Sequence, residues 1–378
     1  MSSGMPIPNI EAERRENAAG CQFIIVAASR PLCYRQWVAG GTAFVLDARM
    51  LAHDPGRGHP ERPDRLRVLA EHLDDARGLV RLGARPATEE EIALVHTPAH
   101  IERLAATAGR PRVVLDPDTS TSPASYEAAR LAAGSLLVVC EAVLAGQVTN
   151  GFALVRPPGH HAERDRAMGF CLFDNVAIAA AWLRCRGLRR VVIIDWDLHH
   201  GNGTQHLFEH DPDVLYVSTH QYPFYPGTGA AEEVGQAAGA GRTVNLPFPA
   251  GFGDGEYMRA FAEVVLPVCR QFAPDFVLVS AGFDCDHRDP LGGMAVTPAG
   301  FAAMARACVD LAAETAAGRF AAVLEGGYDL GAIVEGVDTT FAAMQGAAAT
   351  PAALTGDARR AETVLARVRT AQAPYWRL

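Results

Sequence analysis

The feature that most constrains this chain is an alternation of short apolar runs with longer helical patterns, most runs ending in polar or glycine-flanked residues. From Thr42 onward the runs are Ala43–Leu46, Phe152–Val155, Val191–Ile194, Val214–Val217, Phe276–Val279 and Ala321–Leu324. Each is about strand length and rich in β-branched or aromatic residues. Helical patterns occupy Ser125–Leu144, Asn175–Arg186, Tyr257–Phe272 and Pro298–Ala316. Strand-then-helix repetition predicts an α/β fold with a mostly parallel central sheet flanked by helices. No internal repeat, low-complexity segment or Pro/Gly-rich linker divides the chain. One domain is therefore expected over residues 41–378, with residues 1–40 an unassigned N-terminal extension and a further helix near Asp357–Gln372.

Composition excludes several classes. The chain has 378 residues, of which 49% are hydrophobic, enough for a large core. A net charge of −9 without any basic block argues against nucleic acid as the main partner. The same charge mildly favours a cationic substrate. No apolar run reaches membrane-helix length, so no membrane partner is expected. Phe23–Ser29 is too short, and Glu11, Glu13 and Glu16 precede it, unlike a signal peptide. The 8 cysteines form no C-x-x-C pair, which predicts neither disulfides nor a thiolate metal site and suits the cytoplasm. Cys140, Cys269 and Cys308 sit in helical patterns as small hydrophobes.

In open α/β sheets, ligands bind beyond the carboxyl ends of the strands. Four runs here end in titratable, glycine-flanked segments: Arg156–His161, Asp195–Gly203, Ser280–Asp286 and Glu325–Tyr328. Asp197 and His199 are two apart at a strand end, so their side chains point the same way. With Asp284 as a third ligand they would leave one position open, the pattern of a catalytic zinc site. Any one of these motifs alone could be a helix cap or a turn, but not all four at equivalent positions. His160 and His161, adjacent on an extended segment, would face opposite ways and are expected to do acid–base work rather than share an ion. Asp195 and Asn202 are the candidates to fix their tautomers. Tyr328, after two glycines, can donate a hydrogen bond to a carbonyl oxygen as charge develops on it.

Together with His53–Leu66 and Gly169-Phe170-Cys171, these blocks resemble the signatures of histone deacetylases and acetylpolyamine amidohydrolases, in order from about Ala43 to Leu330. The resemblance implies an arginase-like fold and zinc-dependent hydrolysis of N-acyl amines. It puts Asp197, His199 and Asp284 on the zinc, His161 as general base and acid, and His160 as its electrostatic partner beside Asp195. Tyr328 falls on the carbonyl-polarising position. Asn202 points to the class II side and should leave His161 less basic than an aspartate would. Phe170, with Gly169 before it, and Tyr225 match the acyl-lysine channel, and Asp118 either a rim position that holds substrate backbone or, equally, a turn or helix-cap carboxylate. Leu291 stands where polyamine-selective relatives can carry a glutamate, which tilts the substrate toward acylated lysine peptides or proteins over small acylated amines. Asp195, Asp197, His199, Ser218 and Thr219 match a structural K⁺ site, and Arg62 is expected either to shape the floor behind the zinc or to be a surface or structural arginine. A homo-oligomer is compatible with all of this. Two rivals stand further off: a two-manganese ureohydrolase, which lacks acidic ligands near His199, and a non-catalytic binding protein, which would usually have lost the tyrosine or a ligand.

Overall fold

The computed structural model describes residues 40–74, 78–347 and 357–378, and the backbone of a short antiparallel pair, Glu13–Glu16 with Gln22–Ile25. The N-terminal extension otherwise lies outside the described residues, with Cys21, Cys33 and most of the Phe23–Ser29 run. Eight strands build one sheet: β1 (Thr42–Val45), β2 (Leu79–Leu82), β3 (Asn150–Ala153), β4 (Val191–Asp195), β5 (Val214–Gln221), β6 (Thr243–Phe248), β7 (Phe276–Ala281) and β8 (Phe320–Leu324). Their order is β6-β5-β4-β7-β8-β3-β1-β2, and every neighbouring pair is parallel.

Six of these strands are the apolar runs expected from the sequence. A parallel sheet covered on both faces buries every position, so its central strands read as unbroken apolar stretches. The two strands that the pattern hides are the edges. Arg81 interrupts β2, which is only half-buried, and Asn245 and Pro247 break the pattern of β6. Proline is tolerated at a sheet edge because its missing N–H costs no ladder bond there. The C-terminal helix Glu362–Gln372 packs on β6 of its own chain. Gln372 Nε2 donates to Thr243 O at 2.8 Å and Trp376 Nε1 to Gly241 O at 2.8 Å.

The Ala- and Leu-rich helix Ser125–Leu144 packs against β1, β3 and β8, and Asn175–Cys185 lies beside it. Pro298–Thr315 and Leu330–Met344 pack on each other. The expected Tyr257–Phe272 helix is interrupted: one π turn, Phe261–Val265, joins Asp254–Ala260 to Leu266–Phe272. Pro267 brings no N–H to the ladder at that point, which accounts for the slipped register.

The order in which strands are added reverses at the centre of the sheet. After β4 the chain adds β5 and β6 on one side, then returns to lay β7 against the other side of β4. Such a switch point opens a crevice at the carboxyl ends of the two strands. The four strands whose ends drew attention in the sequence, β4, β7, β8 and β3, are consecutive neighbours there.

Candidate active site

Asp197 and His199 follow β4, and Asp284 follows β7, so the switch point brings them together. Their ligand atoms all lie within 4.8 Å of one another, and all three residues are buried. His199 Nδ1 is 3.2 Å from Asp197 Oδ1 and 3.0 Å from Asp284 Oδ2. Backbone donors aim the carboxylates: His199 N to Asp197 Oδ1 at 2.8 Å, Gly326 N to Asp197 Oδ2 at 2.7 Å, and Leu198 N to Asp284 Oδ1 at 2.9 Å. A Cβ at Gly282 would fall 2.0 Å from Asp197 Oδ2, and one at Gly326 2.3 Å from Asp284 Oδ2. Only glycine leaves room for these carboxylates to converge.

Asp195 and Glu325 add two more buried carboxyl groups, and no arginine forms an ion pair with any of the four among the described residues. The titration of the cluster reflects that surplus of negative charge. Burial and Asp197 push Asp284 up to about 7, and burial pushes Glu325 up to about 7. Against the burial that would discharge it, His199 is raised to about 9 by its two aspartates. Two carboxylates and an imidazole, without thiolate, suit a zinc-like divalent cation, and three protein ligands leave a position open to substrate or water. The residues fit such an ion.

His160 and His161 follow β3. The sequence reading placed their side chains on opposite sides, but the segment is a turn rather than extended chain, and the ring centroids are 4.1 Å apart. Both border the Asp197–His199–Asp284 cluster, with His160 Nε2 3.8 Å from Asp197 Oδ1 and the His161 and His199 ring centroids 5.8 Å apart. The expected partners are in place: His160 Nδ1 lies 3.0 Å from Asp195 Oδ2 and His161 Nδ1 2.8 Å from Asn202 Oδ1. Asp195 is itself held by the Tyr216 hydroxyl at 2.9 Å, a partner the sequence reading missed. The two imidazoles are driven apart. Burial opposes a charge on His160, but Asp195 and Asp197 raise it well above the usual range. Burial, His160 and His199 hold His161 well below it. One ring is thus a fixed cation, and the other is neutral and able to accept a proton.

Tyr328 is half-buried, and its backbone N–H donates to Asp289 Oδ2 at 2.6 Å. Behind it stands Arg65, with Cζ 5.0 Å from the ring centroid, donating to Gly327 O at 2.6 Å and Glu325 O at 2.5 Å. Arg65, not Arg62, thus stands behind this ring; Arg62 is the surface arginine of the two expectations, half-exposed and paired with Asp64 at 3.3 Å. Glu61, in the turn before the helix Asp64–His72, closes a buried ion pair of 3.1 Å with Arg65.

The channel residues also assemble. Phe170 meets Tyr328 edge-on at 6.0 Å and His59 at 4.6 Å. Tyr225, 37% exposed, meets His161 edge-on at 5.2 Å, and Phe224, absent from the sequence reading, stacks on His199 at 5.6 Å. Phe170 has φ +68°, a left-handed conformation that a bulky residue keeps only where neighbours enforce it. They do so here: Asp118 Oδ1 accepts from Gly169 N at 3.0 Å, and Thr119 Oγ1 from Phe170 N at 2.9 Å. Gly169, at φ +57°, passes so close to His161 that a Cβ would fall 2.3 Å from its Cδ2. Leu291 is half-buried, with its N–H on Asp289 Oδ1 at 2.9 Å. Pairing of β4 with β5 sets Ser218 beside Asp195, and Thr219 Oγ1 reaches Asp195 O at 3.5 Å.

Comparison with known proteins agrees with this geometry. The histone deacetylase domain model matches residues 59–344. Histone deacetylase 15 of Arabidopsis thaliana is 46% identical over 304 residues, covering 77% of this chain and 54% of that protein. Human polyamine deacetylase HDAC10 is 42% identical over 364 residues, covering 89% of this chain and 53% of that protein. A probable deacetylase of Archaeoglobus fulgidus is 40% identical over 294 residues, covering 76% of this chain and 82% of that protein. The chain thus spans about half the length of the first and second of these relatives. Among solved structures, the HDA15 HD domain superposes with a TM-score of 0.83 at 42% identity, covering 90% of this chain and 96% of that one.

Proposed function

Because this chain belongs to the histone deacetylase family, we propose that it is a zinc-dependent amidohydrolase that removes acetyl or other acyl groups from lysine side chains of peptides or proteins. Residues 41–378 act as one catalytic unit in this reading. The observation that carries it is the buried convergence of Asp197, His199 and Asp284 beside an uncharged His161. A zinc ion on those three ligands supplies Lewis-acid polarisation of the amide carbonyl and a lowered pKa for the attacking water. A potassium ion would take Asp195, Asp197, His199, Ser218 and Thr219, partly through main-chain oxygens. Five buried free thiols, Cys140, Cys171, Cys269, Cys285 and Cys308, suit the reducing cytoplasm.

The chain's own groups divide the work. His161, its Nδ1 tied to Asn202, accepts the water proton at Nε2 and returns it to the departing amine. His160, kept positive by Asp195, stabilises the negative charge that develops beside it. Tyr328 donates its hydroxyl hydrogen to the carbonyl oxygen in the transition state. Gly169, Phe170 and Tyr225 confine the acyl-lysine stem and exclude water, and Asp118 holds the Gly169–Phe170 loop at the rim. Leu291 offers no carboxylate to a distant ammonium, which favours acyl-lysine. The 42% identity to a polyamine deacetylase supports the second reading, a small acylated amine as substrate.

The experiment is turnover of an acetyl-lysine peptide and of acetylputrescine, with chelator and then with zinc restored. All 34 basic residues of the chain are arginine, so it carries no lysine of its own to confuse the readout. Peptide turnover lost to chelator and restored by zinc is expected. Zinc-dependent turnover of acetylputrescine alone would keep the chemistry and overturn the substrate.

A further inference from the structure

Asn202 has a second neighbour that the reaction as described does not use. Its amide nitrogen lies 2.5 Å from Glu163 Oε1, 3.4 Å from His161 O and 3.5 Å from Met168 Sδ, all acceptors. Glu163 is in turn gripped by His206, whose Nδ1 lies 2.9 Å from Oε1 and 3.1 Å from Oε2. Turning the Asn202 amide over would set its oxygen against a carboxylate oxygen at that separation, while its N–H groups would face His161. The flip is therefore disfavoured by like charge at one end and by a lost acceptor at the other. With the amide held this way, Asn202 Oδ1 faces His161 and can only accept. His161 must carry its hydrogen on Nδ1, which leaves the Nε2 lone pair free for the cleft.

We propose that Glu163 is a positioning residue: by fixing the amide of Asn202, it selects the tautomer in which His161 can act as a base. The inference rests on the catalytic role of His161 proposed above. It also explains why an asparagine stands at 202. An aspartate there would set two carboxylates against each other, and they would share a proton instead of both accepting from the ring and from His206.

The test is a set of four variants, Glu163→Ala, Glu163→Gln, Asn202→Asp and the double variant N202D/E163A, assayed on whichever substrate the wild type hydrolyses. Glu163→Ala should lower kcat about tenfold, with KM, zinc content and melting temperature unchanged. Glu163→Gln, which keeps an acceptor oxygen, should recover most of that loss. Asn202→Asp should be more impaired with Glu163 present than in N202D/E163A. Unchanged kcat in Glu163→Ala, or additive effects of the two substitutions, would overturn the proposal. A long-range ¹H–¹⁵N correlation spectrum of the zinc-loaded protein reads the His161 tautomer without any turnover. A single Nδ1–H form is expected in the wild type and a mixture in Glu163→Ala. The same tautomer in both would overturn the proposal even if the enzymatic reading failed.

Discussion

Two buried ionic clusters meet at Tyr328, and they are built on opposite principles. Behind the ring, Glu61 lies between Arg65 and Arg156, at 3.1 and 2.5 Å, with His53 3.4 Å away. Burial would neutralise Glu61, but Arg156 and His53 hold it well below the usual carboxylate range. This cluster brings its own cations and is closed. In front, Asp195, Asp197, Asp284 and Glu325 share two histidines and, among the described residues, no arginine ion pair, so negative charge is left over. A buried charge is tolerated only when paired or coordinated. The closed cluster satisfies its own charges, and the open one fits a cation.

Breaking the open cluster should have the largest effect. Losing a group that only orients a metal ligand costs about 10–100-fold, so Asp284→Ala, which removes a ligand itself, should lower kcat/KM by more than about 10³-fold, together with zinc content. Next, Glu61→Gln strands two buried guanidinium groups and should cost about 3–5 kcal/mol of stability. Urea unfolding would measure that cost, with zinc stoichiometry unchanged. Loss of zinc without loss of stability in Glu61→Gln would erase the distinction between the clusters. Tyr328→Phe, at their junction, should cost about 10²–10³ in kcat as an oxyanion donor while leaving zinc and melting temperature alone. Near-normal turnover would remove Tyr328 from the mechanism.

The smallest effect comes from a histidine of neither cluster. His96 accepts from Asp174 N at 2.9 Å and lies 3.0 Å from Glu163 O, a pairing that needs a neutral ring, and burial lowers it to about 3. From pH 6.5 down to that value the unfolded chain binds a proton that the folded chain refuses. Stability should therefore fall as pH falls through this window, by up to about 1.4 kcal/mol per pH unit. His96→Gln should lose up to about 2 kcal/mol less than wild type between pH 7 and pH 5, read from urea midpoints. Equal losses would assign the acid sensitivity elsewhere.

The open cluster was more legible in the sequence than the closed one. Asp197, His199, Asp284, His160, His161 and Tyr328 all follow strand ends, where a parallel sheet collects them, so local pattern sufficed. Arg65 and Glu61 act through contacts across the fold, 262 residues apart in the bond from Arg65 to Gly327. Nothing local separates Arg65 from Arg62. The side-by-side histidines were misjudged because a turn, unlike a strand, does not alternate its side chains. The edge strands β2 and β6 escaped because edges tolerate arginine and proline.

Zinc stoichiometry, measured by elemental analysis on purified wild type, Asp197→Asn and Glu61→Gln, tests the contrast most directly. One zinc per chain is expected in wild type and Glu61→Gln, and little in Asp197→Asn. Equal zinc in Asp197→Asn and wild type, or none in wild type supplied with zinc, would contradict the assignment of the open cluster as a cation site.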